Sequence, residues 1–146
     1  MARTILAVLA GLLVMFVCVA AIEMIGIYRY PPPLNLDLND AAAMNAWIAR
    51  LPIAALSIVL VAWVVGAVAG AWTAARISRA HPLLSAMLVG VTVLLATSMN
   101  FLQYAHPAWM MIAGLALPLP MAWLGYRIAV PKSEPERDLT WRGGDR

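Results

Sequence analysis

Cysteine is nearly absent from this chain of 146 residues, which contains only Cys18. A single thiol excludes a disulfide framework and a multi-cysteine metal site within one chain. Charged residues are scarce as well, at 12% against roughly 25% in soluble domains. Apolar residues make up 64% of the sequence. This balance is typical of membrane proteins and excludes an ordinary soluble domain.

Four apolar stretches are each long enough to cross a bilayer, because a helix needs about 20 residues to span a hydrocarbon core ~30 Å thick. They cover residues 5–28, 52–75, 83–104 and 108–130. The sequence therefore predicts an all-α integral membrane protein, a four-helix bundle formed by residues 1–130 and surrounded by lipid. The loop 29–51 and the polar tail 131–146 are too short to bury cores of their own. We expect the tail to be disordered.

Basic residues divide unevenly between the two sides of such a bundle. Only Arg29 and Arg50 fall in the first loop. The other eight lie on the side of the termini: Arg3, Arg76, Arg79, Arg127, Lys132, Arg137, Arg142 and Arg146. By the positive-inside rule, we expect both termini to be cytoplasmic and loop 29–51 to face outward. This asymmetry accounts for the net charge of +3, so the sequence predicts no nucleic-acid partner.

The first span has an alternative interpretation as a secretory signal, because Arg3 precedes an apolar run that ends in small residues. Its apolar core, residues 5–22, is longer than the 7 to 15 residues usual for such signals. We therefore expect the first span to be retained, with four spans in the mature protein.

The outer loop contains a predicted interfacial helix. Three prolines at 31–33 favour an extended segment, after which Asn39 or Asp40 can cap a helix running to about Arg50. Its apolar residues recur at helical spacing: Met44, Trp47, Ile48 and Leu51. This pattern predicts a helix lying on the outer surface, with its apolar stripe against lipid or the mouth of the bundle.

Small residues recur every four positions along the second span, at Ala62, Gly66, Gly70 and Ala74. Such a stripe lets helix backbones approach closely in lipid. It predicts either a central position for this span or a contact with a homo-oligomer or membrane-protein partner. Matching small residues lie in the first and third spans: Ala7, Gly11, Ala86 and Gly90.

Pro118 and Pro120 interrupt the fourth span. Proline removes a helix hydrogen bond, so the pattern predicts a kink. Broken helices also mark transport sites, which remains an alternative.

Polar residues within the spans are few and come to one depth near the outer surface. They are Glu23, Ser57, Asn100, Gln103 and His106. A carboxylate in lipid is costly, so Glu23 should face protein partners. We expect it to reach Asn100, Gln103 or His106 by a direct or water-bridged hydrogen bond. It would then act as a register-fixing contact or as a proton or cation site. A side chain extending to the outer surface is the remaining alternative.

The sequence contains no recognisable set of catalytic or cofactor-binding residues. His81 and His106 fall on opposite membrane faces and cannot share a haem. No cluster has the composition of a metal site, and the spans supply no base for a catalytic serine. The sequence therefore predicts a protein that is not an enzyme, without metal or cofactor.

Three segments carry a resemblance over the whole chain: YPPP at 30–33, HPAW at 106–109 and PLPMAWLG at 118–125. With them the chain resembles small four-span bacterial inner-membrane proteins without an assigned activity, which implies a nonenzymatic structural or accessory component.

Residues 22–26 (IEMIG) are also similar to the first helix of small multidrug-resistance transporters. This similarity implies a second hypothesis, a proton- or cation-coupled transporter using Glu23. The long proline-rich loop and the uneven basic residues depart from those proteins. An intramembrane enzyme is the third hypothesis.

Overall fold

The computed structural model describes residues 2–37 and 39–130. All regular secondary structure in these ranges is helical, which confirms the all-α prediction. The helices are α1 (Ala2–Arg29), α2 (Ala41–Ile48), α3 (Ile53–Ile77), α4 (Pro82–Gln103), α5 (Ala108–Ala116) and α6 (Pro118–Ala129). The predicted tail 131–146 lies outside the described residues.

Four helical segments are long and apolar enough to cross a membrane: α1, α3, α4 and the pair α5–α6, which together cover Ala108–Ala129. The chain is thus a multi-pass membrane protein. Each predicted span coincides with one of these segments.

Helix α3 is the centre of the bundle, since it contacts α1, α4 and α6. The predicted small-residue stripe is buried along its length, and α1 covers it. A Cβ added to Gly70 would lie 2.7 Å from the carbonyl oxygen of Gly11, and one added to Gly66 would lie 2.6 Å from Val19 Cγ2. The stripe is therefore an internal contact with α1. The alternative that it forms an oligomer interface has no exposed surface to use.

Helix α6 packs against α3 and α4 by a similar close approach. A Cβ on Gly125 would lie 2.5 Å from the carbonyl oxygen of Val68 in α3. A Cβ on Gly90 of α4 would lie 2.5 Å from Ala122 Cβ in α6. Gly90 was predicted to pack against the small residues of the first and second spans. Its partner is instead α6, the second half of the fourth span. The break before α6 brings Ala122 to this position.

The fourth span is interrupted at Leu117, between α5 and α6. Leu117 keeps right-handed helical dihedrals, with φ −81° and ψ −34°. The prolines withhold the donors that Gly114 and Ala116 carbonyls would accept in a continuous helix. The predicted interruption is thus present as a local break, without an extended unwound segment.

The short helix α2 begins after Asp40, whose carboxylate accepts hydrogen bonds from the backbone N–H of Ala42 at 2.9 Å and of Ala43 at 3.2 Å. The Asn45 side chain accepts a 2.8 Å bond from the N–H of Ala105, in the turn between α4 and α5. Ile48 is buried in a cluster with Leu56 and Met110. The apolar stripe of α2 therefore faces the mouth of the bundle, and the alternative that it faces lipid is wrong.

Candidate functional site

The end of the bundle that carries α2 contains a cavity of about 600 Å³, here named the α2-end cavity. Its walls are the α2-end halves of α1, α3 and α4, and side chains of α2 form its roof. The wall is mostly apolar, with residues such as Met15, Val59 and Val93.

Helices α1 and α4 approach each other closely at the opposite end of the bundle. There, a Cβ on Gly11 of α1 would lie 3.1 Å from Val89 Cγ2 of α4. From Met15 on α1 and Val93 on α4 towards α2, the side chains of both helices line open space instead. Close glycine packing at one end thus leaves a gap at the other.

The gap is open on the side of the bundle that faces lipid. Phe16 and Ile27 of α1 line the cavity, yet they are 68% and 51% exposed. Ala96 on the α4 wall is exposed too. By contrast, α2 covers the end of the cavity with Trp47 and Ile48, and Ile48 is only 7% exposed. This geometry makes the lipid side the wider route into the cavity.

Glu23 is the only Asp, Glu, Lys or Arg among the described residues that line the cavity. It is half-buried on α1, and Trp63 of α3 lines the same cavity. Trp63 contacts Phe101 edge to face, with ring centroids 5.7 Å apart. Aromatic packing therefore fixes the indole in the cavity wall.

Asn100 and His106 line the same cavity. The side-chain oxygen of Asn100 is buried and has no hydrogen-bond partner among the described residues. His106 Nδ1 lies 2.9 Å from the carbonyl oxygen of Tyr104. Because a carbonyl only accepts, Nδ1 carries the proton and Nε2 of the neutral ring remains an acceptor. The His106 ring packs edge to face on Phe101 at 5.1 Å.

The five polar residues singled out in the sequence thus divide into two groups. Glu23, Asn100 and His106 share the cavity, whereas Ser57 and Gln103 are not part of its wall. The Ser57 hydroxyl donates to the carbonyl of Ile53 at 2.9 Å, and the Gln103 amide donates to the Tyr104 hydroxyl at 2.9 Å. Both find their partners locally.

The expected direct hydrogen bond from Glu23 to Asn100, Gln103 or His106 is not formed within the described part of the chain. Trp63, which was not among the predicted site residues, lines the same cavity. One sequence signal pointed to it: Trp63 is a tryptophan far from both predicted interfaces, and a buried indole N–H usually has a partner. A water-bridged contact across the cavity stays a prediction.

The lining can bind an uncharged or positively charged group, but it is poorly equipped for an anion, because no Lys or Arg belongs to its described part. Among the residues that the structure describes, no group of three His, Cys, Asp or Glu is arranged to hold a metal ion.

Comparison of the chain with known protein families, with curated proteins and with solved structures finds no match. The resemblance to small four-span bacterial inner-membrane proteins therefore stays a prediction.

Proposed function

We propose that this chain is a nonenzymatic accessory protein of a bacterial inner membrane, which binds an amphiphilic molecule from the outer leaflet in the α2-end cavity. The observation that carries this proposal is the cavity itself. Its volume of about 600 Å³ falls within the ~300–1,000 Å³ of small-molecule sites, which are mostly apolar with a few placed polar groups. The exposed wall residues Phe16 and Ala96 favour a ligand that arrives from lipid.

A nonenzymatic role is supported by the chemistry of the wall. The described lining includes neither serine nor cysteine, and its one aliphatic hydroxyl is that of Thr97. Glu23 lies on α1, Asn100 on α4 and His106 in the turn between α4 and α5, and these side chains are suited to orienting a ligand.

The proposed orientation places α2 outside the cell and the α3–α4 turn inside. Besides the basic residues, aromatic pairing supports it: Arg76 lies 6.0 Å from the Trp72 ring centroid and Arg127 lies 5.1 Å from that of Trp123. Arg–Trp pairs at the end opposite α2 are typical of a cytoplasmic interface.

Cysteine labelling tests this orientation. In a Cys18→Ala background, Asn39→Cys should react with an impermeant thiol reagent in intact spheroplasts. Ala80→Cys should react only after the membrane is opened. Both positions are exposed, so an unreactive site would reflect its side of the membrane. Reaction of Ala80→Cys in intact spheroplasts would reverse the proposed orientation.

Filling the cavity tests ligand binding. We expect Ala96→Phe to lower the affinity for dodecyl-chain amphiphiles by at least about tenfold, because the ring would occupy the gap that the chain enters. Binding is measured to the protein in phosphatidylcholine nanodiscs, with empty nanodiscs subtracted. The matched control is Leu95→Phe, next to Ala96 but 60% exposed and outside the cavity wall. Equal affinities for both variants, or no saturable binding by the parent protein, would contradict the proposed function.

The transporter hypothesis has less support. Alternating access needs a route to both sides of the membrane, whereas the close contacts of Gly11, Gly70 and Val89 fill the bundle on the inner side of the cavity. The break at Leu117 also lies outside the cavity wall. Glu23 and the helix break are therefore separate features of this state.

A further inference from the structure

The polar groups of the α2-end cavity suggest which head group a ligand would carry. Glu23 supplies the one carboxyl group among the described lining residues. A carboxyl group in a mostly apolar wall gains a partner from a ligand that donates a hydrogen bond to it.

The described wall also contains neutral donors: the hydroxyl groups of Tyr30, Thr97 and Tyr104, the amide of Asn100 and the indoles of Trp47 and Trp63. With no Lys or Arg in the described lining, an anionic head group would approach Glu23 without a compensating charge. Like charges at close range in a poorly solvated site repel strongly.

The apolar part of the cavity continues from these groups towards the middle of the bundle. On α1 the wall runs from Glu23 to Met15, a distance of about 12 Å along the helix axis. Val93 and Ala96 of α4 face the same space. An alkyl chain can lie along this groove while its head group stays at the level of Glu23.

From these features we infer that the cavity selects amphiphiles whose head group is both cationic and a hydrogen-bond donor, such as a primary alkylammonium, held at Glu23. This inference rests on the proposed function and adds the chemical class of the ligand.

Four probes with the same chain and different heads test the inference: dodecylamine, dodecyltrimethylammonium, dodecanol and dodecanoate. Binding to the protein in phosphatidylcholine nanodiscs is measured at pH 7, with empty nanodiscs subtracted. Dodecylamine should bind at least about tenfold tighter than dodecanol, because charge-assisted hydrogen bonds are stronger than neutral ones. Dodecyltrimethylammonium, which has no N–H, should bind more weakly than dodecylamine, and dodecanoate most weakly.

Variants locate the selection. Glu23→Gln should reduce the affinity for dodecylamine to that for dodecanol and leave dodecanol binding unchanged. Asp37→Asn, which removes an exposed acid outside the cavity, should change neither. The comparison of dodecylamine with dodecanol on the parent protein needs no variant, so it tests the inference even where Glu23→Gln fails to fold.

The outcomes separate the inference from the proposed function. Absence of saturable binding for all four probes overturns both. Saturable binding in which dodecanol, dodecanoate or dodecyltrimethylammonium equals dodecylamine keeps the cavity as a binding site and overturns its head-group selectivity. Equal loss of dodecylamine binding in Asp37→Asn and Glu23→Gln also overturns it, since the effect would then be a general surface charge effect.

Discussion

Gly70→Leu should destabilise the protein by about 3 kcal/mol or more, at or above the upper end of typical overpacking costs. A Cβ at Gly70 would lie 2.7 Å from the Gly11 carbonyl oxygen and 2.7 Å from Met15 Cβ. A backbone oxygen cannot move aside without moving α1. The whole leucine side chain would therefore force α1 away from α3. Thermal unfolding in detergent, followed by circular dichroism, measures the effect.

Gly66→Leu should cost less than Gly70→Leu, because its closest contact is Val19 Cγ2 at 2.6 Å. A side-chain methyl group can rotate away, although the Met15 carbonyl oxygen at 3.2 Å limits the space. The control is Val61→Leu, which adds bulk to α3 at a position 52% exposed. If Gly70→Leu melts like Val61→Leu, the close contact between α1 and α3 is wrong, and so is the origin of the cavity.

The four membrane segments could be predicted from sequence because span length and apolarity follow directly from bilayer thickness. The N-cap of α2 could be predicted equally well, since aspartate is favoured at the N-cap of a helix and Asp40 precedes the apolar pattern of α2. These features depend on local chemistry. Neither requires knowledge of which helix lies next to which.

Helix partners were harder to predict. The stripe with Gly66 and Gly70 indicated close packing but was compatible with several neighbours, because small residues occur on every span. In the folded protein, Gly11 packs against Gly70 and Gly90 packs against Ala122. This pairing of helices was not evident from the sequence. It depends on how the break at Leu117 directs α6, which is a property of the folded bundle.

The candidate site was predicted only in part, because its wall also depends on how the helices pack. Depth along a helix can be counted from sequence, so Glu23, Asn100 and His106 were placed at one level. Rotation about the helix axis and the gap between helices cannot be counted in this way. Hence Trp63 was not recognised as part of the cavity wall, and Ser57 was included although its hydroxyl bonds to its own helix.

Gly125→Ala should destabilise the protein although it adds only one methyl group. Its Cβ would lie 2.5 Å from the Val68 carbonyl oxygen and 3.0 Å from the Trp72 backbone nitrogen. Both are backbone atoms of the central helix, so α6 must shift as a unit. We expect a loss of about 1–3 kcal/mol in the free energy of unfolding, measured by thermal or denaturant unfolding in detergent.

Gly26→Ala is the matched comparison, since it adds the same methyl group to a glycine in another membrane helix. Its nearest neighbour would be Ile58 Cγ2 at 3.3 Å, a side-chain methyl group and not a backbone atom. A small shift relieves that contact, and alanine is favoured over glycine in helices by roughly 0.5–1 kcal/mol. Gly26→Ala should therefore be neutral or slightly stabilising. If both variants lose equal stability, the difference between backbone and side-chain neighbours does not control packing in this bundle, and the tight α3–α6 contact cannot be what holds the fourth span in place.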